Sequence, residues 1–235
     1  MKKIIFILIF LLLTLFLFNP QEKELTLNNL PTLKNELTIP LADWQKLNSD
    51  VIYLLEFQNG EEVNSIPVVY KESDPEFYFR KALDLSYSSM GTAFVDRHSS
   101  LDSLNLIINA HSSKEKKSHF TFLKKYADQA YFNQHSEFKL ISSDETYLCT
   151  VLSFSEYDLS QQETEYIWYL NPKNKKDLFN LLELTKPYQI HQNQVDFDFE
   201  RIITLVTCNM DKEDSRYVLQ ASLKKEEDDE KNNLP

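Results

Sequence analysis

A cysteine and an arginine flank one short polar segment near the C-terminal end of the chain. Cys208 ends the apolar, β-branched run that begins at Arg201, and Arg216 begins a second apolar run that extends to Leu223. Runs of this length and composition predict strands, so a hairpin-like loop would bring the thiol and the guanidinium close together. A thiol next to a fixed positive charge is well placed to act as a nucleophile. The pattern therefore makes Cys208 a candidate for nucleophilic catalysis.

Two structural interpretations of the cysteines compete with this one. Free cysteine is among the most buried residue types, so the strand pattern alone is more typical of a core cysteine than of a nucleophile. The chain has 2 cysteines, and an even count in a protein outside the cytoplasm is also compatible with a disulfide. A disulfide between Cys149 and Cys208 would make Cys208 inert. Without a disulfide, the alternating pattern around Cys149 predicts a core residue.

Composition and charge restrict the class of protein. The chain has 235 residues, of which 42% are hydrophobic, enough for one sizeable core and one domain. The net charge is −11, and no basic stripe offsets it, so the sequence argues against nucleic acid as a partner. The chain has only 2 glycines, so its turns are expected to use Asn, Asp, Ser and the 8 prolines.

The N-terminal segment has the pattern of a membrane-targeting sequence. Lys2 and Lys3 precede an apolar run, Ile4 to Phe18, and no small-residue cleavage site follows it. A cleaved signal peptide and an uncleaved anchor are both compatible with this run, which is shorter than the roughly 20 residues of a full span. We favour a single-pass anchor in the cell membrane, with the rest of the chain extracellular. The predicted organisation is an anchor over residues 1–20, a linker over 21–40, one domain over 41–223 and a disordered charged tail over 224–235.

Short strands and helix-bearing connections alternate through the rest of the chain. Strands are predicted at Val51–Phe57, Ile66–Tyr70, Gly91–Val95, Leu104–Asn109, Glu137–Ile141, Glu145–Phe154, Tyr166–Leu170, Arg201–Cys208 and Arg216–Leu223. Helices are predicted at Leu41–Leu47, Glu76–Leu83, Phe120–Tyr131 and Asp177–Thr185. The fold class is thus mostly β with helices (α+β). This order suggests a β-barrel decorated by helices, although the pattern alone is equally compatible with an open sheet.

The strand that ends in Cys208 carries a specific motif. Thr204-Leu205-Val206-Thr207-Cys208 matches the TLxTC pattern of sortases, the membrane-anchored cysteine transpeptidases of Gram-positive bacteria. The sortase pattern also has a histidine well upstream and an arginine shortly after the cysteine, where this chain has His111 and Arg216. The segment Asn105 to His111 resembles the sortase segment N-x-I-I-Y-G-H. The chain therefore resembles the sortases at all three positions.

The resemblance extends over nearly the whole predicted domain, from Leu41 to Leu223, and favours class B. Four further elements fall in the order found in class B sortases: Trp44, Ile66–Val69, Gly91–Asp96 and the helix Asp177–Thr185. The fold that this implies is a closed, eight-stranded sortase-type β-barrel. It would have an N-terminal helix and an extra helix before the strand of the catalytic cysteine.

The activity implied by the resemblance is transpeptidation. Cys208 would attack a carbonyl in the C-terminal sorting signal of a surface or pilin protein and form a thioester. His111 would protonate the leaving amine, because histidine changes charge near neutral pH. Arg216 would bind the oxyanion or the backbone of the signal. The acyl group would then pass to an amine acceptor, either a peptidoglycan precursor of the cell wall or a pilin lysine, without a cofactor.

The residues around this site carry two departures from the sortase pattern. Asn109 and Ala110 replace the usual Tyr-Gly before the histidine, and the alanine makes positive φ values costly. With Thr207, they are the predicted substrate-binding residues, and we expect the change to alter substrate detail rather than to abolish catalysis. A zinc site at His111 and His119 is not expected, because no carboxylate or thiol completes the ligand spacing.

Two non-transpeptidase alternatives remain at this point. In a plain cysteine protease, water would take the acyl group from the thioester. In a membrane-tethered adhesin or pilus component, the domain would be a non-enzymatic binding module, and a disulfide between Cys149 and Cys208 would fit that role.

Overall fold

The computed structural model describes residues 39–60, 62–114, 119–160, 167–194 and 198–226. In these ranges the chain forms nine strands: β1 (Val51–Asn59), β2 (Glu62–Val69), β3 (Ala93–Val95), β4 (Asn105–Asn109), β5 (Glu137–Ile141), β6 (Thr146–Asp158), β7 (Gln189–Gln192), β8 (Arg201–Cys208) and β9 (Ser215–Lys225). It also forms three α-helices: α1 (Leu41–Leu47), α2 (Gln129–Gln134) and α3 (Lys175–Thr185).

Eight of these strands close into a barrel. Their order around the wall is β5, β1, β2, β3, β4, β8, β9 and β6, and β6 pairs back onto β5. Strand β6 is 13 residues long, so one of its edges pairs with β9 while the other pairs first with β5 and then with β7. The predicted eight-stranded closed barrel is confirmed, and the open-sheet alternative is wrong.

Strand β8, which ends in Cys208, lies between a parallel and an antiparallel neighbour. It pairs in parallel with β4, where Asn109 lies opposite Val206, and antiparallel with β9, where Cys208 lies opposite Arg216. The ends of β4 and β8 and the start of β9 therefore meet at one edge of the barrel. Because β4 and β8 are far apart in sequence, this juxtaposition depends on barrel closure.

Both faces of β8 are buried, which explains its unbroken apolar run. Ile203 and Leu205 point into the barrel interior and pack with apolar residues of the surrounding strands. On the outer face, Ile202 packs beneath α3 and Val206 packs with Trp168. A strand covered on both faces reads as continuous hydrophobic sequence rather than as an alternation.

The predicted helices before the first strand and before the cysteine strand are both confirmed. Helix α1 has the predicted bounds and buries Trp44. Helix α3 is capped by Asn174, whose side chain accepts from the main-chain N–H of Asp177 at 3.0 Å. Its apolar face, which includes Leu178, packs on the outer face of the barrel. The extra helix thus covers the wall that carries the cysteine strand.

Two predicted helices are shorter or differently wound than the sequence indicated. The helix predicted at Glu76–Leu83 is a single 3₁₀ turn, Phe77–Arg80. A longer helix cannot form, because Leu85 has a left-handed φ of 67°. The chain instead folds back, and the main-chain N–H of Ser88 donates to the main-chain oxygen of Arg80. The helix predicted at Phe120–Tyr131 is a 3₁₀ segment, Thr121–Ala127, followed by α2.

The strand predicted at 166–170 and the predicted end of the last strand also differ from the structure. The strand predicted at 166–170 is a 3₁₀ turn over Ile167–Tyr169, because its carbonyl groups bond to a side chain of β4 instead of a neighbouring strand. Strand β9 extends to Lys225, beyond the predicted domain end, because Lys224 and Lys225 continue the antiparallel pairing with Leu148 and Tyr147 of β6. The rest of the predicted tail, residues 227–235, lies outside the described residues.

The membrane-anchor prediction concerns residues 1–20, which also lie outside the described residues, as does most of the predicted linker. Among the helices of the described ranges, none is both long and apolar enough to cross a membrane.

Candidate active site

Three side chains from three adjacent strands meet at one edge of the barrel. Cys208 ends β8 and lies opposite Arg216 on β9. On the other side of β8, the parallel register ends where Asn109 lies opposite Val206, and His111 follows Asn109 by two residues. Neighbouring strands lie about 4.8 Å apart, and residues level with each other point to the same face. Cys208 and Arg216 are therefore direct neighbours on one face, and His111, just beyond the end of β4, completes a row of three side chains at the same cavity.

This row lines a cavity of about 350 Å³ on the outer face of the barrel wall. The other lining residues are Asn109 and Ala110 at the end of β4, Val206 and Thr207 of β8, Phe94 and Asp96 at β3, and Glu76, Phe79 and Tyr169. Cys208 is half-buried rather than enclosed, so a substrate in the cavity can reach its sulfur. The predicted catalytic residues are thus brought together in one accessible site.

His111 is held by the loop between β2 and β3. Its Nε2 lies 3.0 Å from the main-chain oxygen of Phe79, and the two rings pack with centroids 4.5 Å apart. Burial lowers the pKa of His111 below its ordinary value of 6.5; the Phe79 carbonyl opposes this effect, and the charge of Arg80 adds to it. At neutral pH the imidazole is therefore mainly uncharged.

Arg216 is oriented by the main chain next to it. Its Nη1 donates to the carbonyl oxygen of Ser215 at 2.9 Å, and its guanidinium lines the same cavity as the sulfur of Cys208. The loop between them is connected to the segment after β4 by an ion pair of 2.9 Å between Asp211 and Lys114. This pair is largely exposed, so it contributes little to stability.

The three predicted substrate-binding residues all line the cavity, although their side chains also have structural contacts. Thr207 is buried, and its hydroxyl donates to the main-chain oxygen of Ala110 at 2.8 Å. The N–H of Ala110 in turn donates to the oxygen of Val206 at 3.2 Å. Together these bonds hold Ala110, the residue before His111, against the end of β8. Asn109 donates a short hydrogen bond from Nδ2 to the carboxylate of Asp96.

Asp96 and Tyr169 form a polar wall that the sequence did not indicate. The carboxylate of Asp96 is almost buried. Besides the bond from Asn109, it accepts from the main-chain N–H of His98 at 2.8 Å, and it lies 2.6 Å from Nδ1 of the same histidine. Burial and the charge of Asp96 raise the pKa of Tyr169, while Arg216 opposes the shift. Tyr169 is therefore a neutral phenol within the cavity. Asp96 falls in the segment that resembles class B sortases, which was the available signal for it.

The position of Tyr169 depends on Asn105, the first residue of β4. The amide of Asn105 donates to the main-chain oxygens of Trp168 at 2.9 Å and Leu170 at 3.0 Å. Its own oxygen accepts from the buried hydroxyl of Thr204 at 2.6 Å. A single orientation is imposed because the amide is bonded on both sides. Asn105 thus fixes the 3₁₀ turn that carries Tyr169 against the sheet.

The structure contradicts a disulfide between the two cysteines. Both are free: Cys149 is fully buried in the barrel core, and Cys208 is at the cavity. On β9, Cys149 lies opposite Leu223 and Cys208 lies opposite Arg216. Seven residues of strand span about 23 Å, whereas the Cα atoms of a disulfide lie about 4.4 to 6.8 Å apart. The prediction that Cys149 is a core residue agrees with this position.

No group of three or more His, Cys, Asp or Glu side chains that could hold a metal ion occurs in the part of the chain that the structure describes.

Comparison with known proteins gives matches at the level of structure. No protein-family model matches the sequence, and no curated protein matches it. Sortase B of Staphylococcus aureus superposes with a TM-score of 0.66 at 19% identity, over 79% of this chain and 87% of that chain. Sortase B of Clostridium perfringens gives 0.63 at 21% identity, over 77% and 98%. A class B sortase of Streptococcus pyogenes that is involved in pilus biogenesis gives 0.63 at 19% identity, over 79% and 98%. The chain therefore has the fold of the class B sortases.

Proposed function

We propose that this protein is a sortase-type cysteine transpeptidase, in which Cys208 is the nucleophile, His111 the proton carrier and Arg216 the oxyanion donor. The observation that carries the proposal is that these three side chains line one accessible cavity, at the ends of three adjacent strands of a class B sortase fold. None of the three is required by the packing of the barrel interior. Their convergence is what an acyl-transfer site needs.

The first half-reaction is acyl transfer to the enzyme. The sulfur of Cys208 attacks the carbonyl carbon of a peptide bond, and the neutral imidazole of His111 takes the thiol proton. Arg216 donates to the oxygen that becomes negative, and its planar, permanently charged group suits that task. The C–N bond then breaks, His111 returns the proton to the leaving amine, and an acyl thioester remains on Cys208. The lowered pKa of His111 suits both proton transfers.

The second half-reaction transfers the acyl group to an amine. The amine attacks the thioester carbonyl, His111 accepts the excess proton from the nitrogen, and the thiol of Cys208 is restored as the amide forms. Structures of sortase B have been solved with a substrate, for the Staphylococcus aureus enzyme, and with triglycine, which supports a peptide amine as one class of acceptor. The relative that is involved in pilus biogenesis supports a pilin lysine as the other.

The substrates we propose are surface or pilin proteins that bear a C-terminal sorting signal. The acceptor is a peptidoglycan precursor or a pilin lysine. Residues 1–20 would anchor the chain in the cell membrane by a single span, with the catalytic domain extracellular. Such tethering would keep the enzyme next to proteins emerging from the membrane.

Mass spectrometry of the product tests this function. The protein is incubated with a panel of peptides carrying C-terminal sorting signals, in the presence of triglycine or of a lysine peptide. An amide product supports transpeptidation, and the preferred amine identifies the acceptor class. An acid product alone would instead show a cysteine protease. Absence of any product with every peptide and both amines would overturn the proposal in favour of a non-enzymatic surface component.

A further inference from the structure

The segment between Cys208 and Arg216 is connected to a third strand by one carboxylate. This segment, the 209–215 loop, joins β8 to β9, and β6 is the neighbour of β9 on the far side from β8. Glu156 of β6 lies opposite Tyr217 in the β6–β9 register. From there its side chain reaches past the start of β9 to both ends of the loop.

The same oxygen of Glu156 accepts from two buried donors. Nδ2 of Asn209 lies 3.2 Å from Oε1 of Glu156, and Oγ of Ser215 lies 3.1 Å from it. Asn209 directly follows Cys208, and Ser215 directly precedes Arg216. Both donor residues are buried, with 6% and 1% of their surface exposed. Buried donors that lose their acceptor are costly, so Glu156 determines where the two loop ends lie.

Further bonds fix these two residues to each other and to the catalytic pair. The main-chain N–H of Asn209 donates to the oxygen of Ser215 at 2.9 Å, and Oδ1 of Asn209 accepts from the N–H of Asp211 at 2.9 Å. The amide orientation is set because a carboxylate only accepts, so Nδ2 must face Glu156. The oxygen of Ser215 also accepts from Nη1 of Arg216 at 2.9 Å. A continuous set of hydrogen bonds therefore leads from Glu156 to the guanidinium.

We propose that Glu156 is a positioning residue for the acyl-transfer site, which holds the guanidinium of Arg216 at the place where the oxyanion forms beside Cys208. The catalytic effect of Glu156 rests on the proposed function. The anchoring of the 209–215 loop by Glu156 does not, because it is a property of the fold. Glu156 acts through Arg216 and does not itself contact the substrate, since it is not one of the residues that line the cavity.

The chain contains a matched control for the charge of Glu156. Nζ of Lys212, in the loop, lies 3.7 Å from Oε1 of Glu156 and 3.1 Å from Oδ2 of Asp158, which is also on β6. Asp158 thus pairs with the same lysine, and more closely than Glu156 does. The two carboxylates differ in their other partners: that of Asp158 accepts from Ser160, whereas that of Glu156 accepts from Asn209 and Ser215 at the two ends of the loop. If the ion pair with Lys212 were the important contact, changing Asp158 would have the larger effect.

A comparison of three variants tests the proposal by turnover. Glu156→Ala removes the acceptor, Glu156→Gln keeps a carbonyl oxygen for the two donors, and Asp158→Asn is the control. We expect Glu156→Ala to lower kcat with triglycine and a sorting-signal peptide by about 100-fold, the cost of a displacement near 1 Å, with little change in KM. Glu156→Gln should restore most of the activity, and Asp158→Asn should retain it.

A double-mutant cycle separates positioning from general stability. If Glu156 acts through Arg216, then Glu156→Ala should have almost no further effect on kcat in an Arg216→Ala background. The same fold-loss in both backgrounds would show that Glu156 is merely structural and would overturn the proposal. So would equal losses from Glu156→Ala and Asp158→Asn.

Hydrogen exchange of the 209–215 loop keeps this test independent of the enzymatic assay. In the intact domain, Glu156→Ala should remove the protection of the Asn209 N–H from exchange, whereas Asp158→Asn should leave that protection unchanged. If the wild-type protein gave no product, the proposed function would fail, and the exchange data would still decide the anchoring. Unchanged protection in Glu156→Ala would refute the anchoring whatever the turnover.

Discussion

Nε2 of His111 lies 3.0 Å from the main-chain oxygen of Phe79. Because a carbonyl oxygen only accepts, this nitrogen carries a proton, and the neutral ring has its lone pair on Nδ1. The contact depends on Gly91, which has a positive φ of 57° next to the loop of Phe79. A Cβ at this position would lie 2.6 Å from the main-chain oxygen of Tyr78 and closer still to that of Phe79. The orientation of the imidazole thus rests on the absence of a side chain at Gly91.

Gly91→Ala should therefore impair catalysis more than it impairs folding. The added methyl group must displace the Phe79 carbonyl, and a displacement near 1 Å costs about 100-fold in rate, so we expect kcat/KM to fall by that order. The strained φ should also cost about 1 to 2 kcal/mol in the free energy of unfolding. Peptide turnover and a thermal melt measure the two effects.

Gly60→Ala is the control for this variant. Gly60 also has a positive φ, 65°, but nothing lies within 4 Å of its added Cβ. It should lose the roughly 1 to 2 kcal/mol that the strained φ costs, but not the further stability that Gly91→Ala loses by displacing main-chain oxygens, and its turnover should be normal. Equal losses of activity in both variants would mean that the Phe79 contact does not orient His111.

The lowered pKa of His111 predicts how stability depends on pH. Burial is the main cause, so the unfolded chain, with an ordinary value near 6.5, binds more protons than the folded chain below that pH. Stability should then fall as the pH decreases through about 6.5 toward the lower pKa of the folded protein. His111→Asn has no proton to gain, so its melting temperature should decline less over this range. Parallel curves for the two proteins would contradict the shift.

Arg80 provides a second check on the same group. Its positive charge contributes to the lowered pKa of His111, so Arg80→Gln should raise that pKa. An NMR titration of the imidazole ring measures it directly. A pKa that did not rise in this variant would show that the charge of Arg80 is not felt at the site.

The two cysteines should respond to substitution in opposite ways. Cys208→Ala should abolish turnover with the melting temperature nearly unchanged, since the side chain is half-buried at the cavity. Cys149→Ala should keep turnover but lose about 1 kcal/mol of stability, the usual cost of removing a methyl-sized group from a core. Retained activity in Cys208→Ala would exclude the thioester mechanism.

The sequence predicted the site residues because two kinds of signal happened to be available. Cys208 and Arg216 are neighbours through a local hairpin, which a strand–loop–strand pattern can indicate. His111 adjoins them only through the parallel β4–β8 pairing, and no local pattern reports such a pairing. Its prediction therefore depended on the resemblance to sortases. Nothing in the sequence indicated Phe79, because it contributes a main-chain carbonyl from a loop, and any residue type can supply that group.

The errors in the predicted elements have the same origin in long-range contacts. The apolar residues near Trp168 favoured a strand, yet Asn105 takes up the carbonyl groups that a strand would use. The loop at Phe77–Arg80 favoured a helix, yet it packs as one turn against Gly91. Barrel closure, which brings β5 onto both β1 and β6, is likewise set by the whole chain and not by any segment.

Arg201 is the first residue of β8 and Arg216 the second residue of the antiparallel β9, and substitutions at the two positions should separate catalysis from stability. Arg201 donates from Nε to the main-chain oxygen of Ser103 at 3.1 Å and from Nη2 to that of Leu101 at 2.6 Å. Hydrogen bonds from a charged group contribute about 1.5 to 3 kcal/mol, so Arg201→Ala should lower the free energy of unfolding by that order and leave kcat/KM nearly unchanged.

Arg216→Ala should do the reverse. Its side chain donates only to the adjacent carbonyl of Ser215 among the hydrogen bonds seen in the described residues, so stability should change little. Removal of one oxyanion donor costs about 100- to 1,000-fold in rate, and we expect a loss of that order in kcat/KM. Arg216→Lys keeps the charge without the planar group and should also lose substantial activity. If Arg216→Ala were as active as Arg201→Ala, the oxyanion would have to be stabilised by another group, and the proposed role of Arg216 would be wrong.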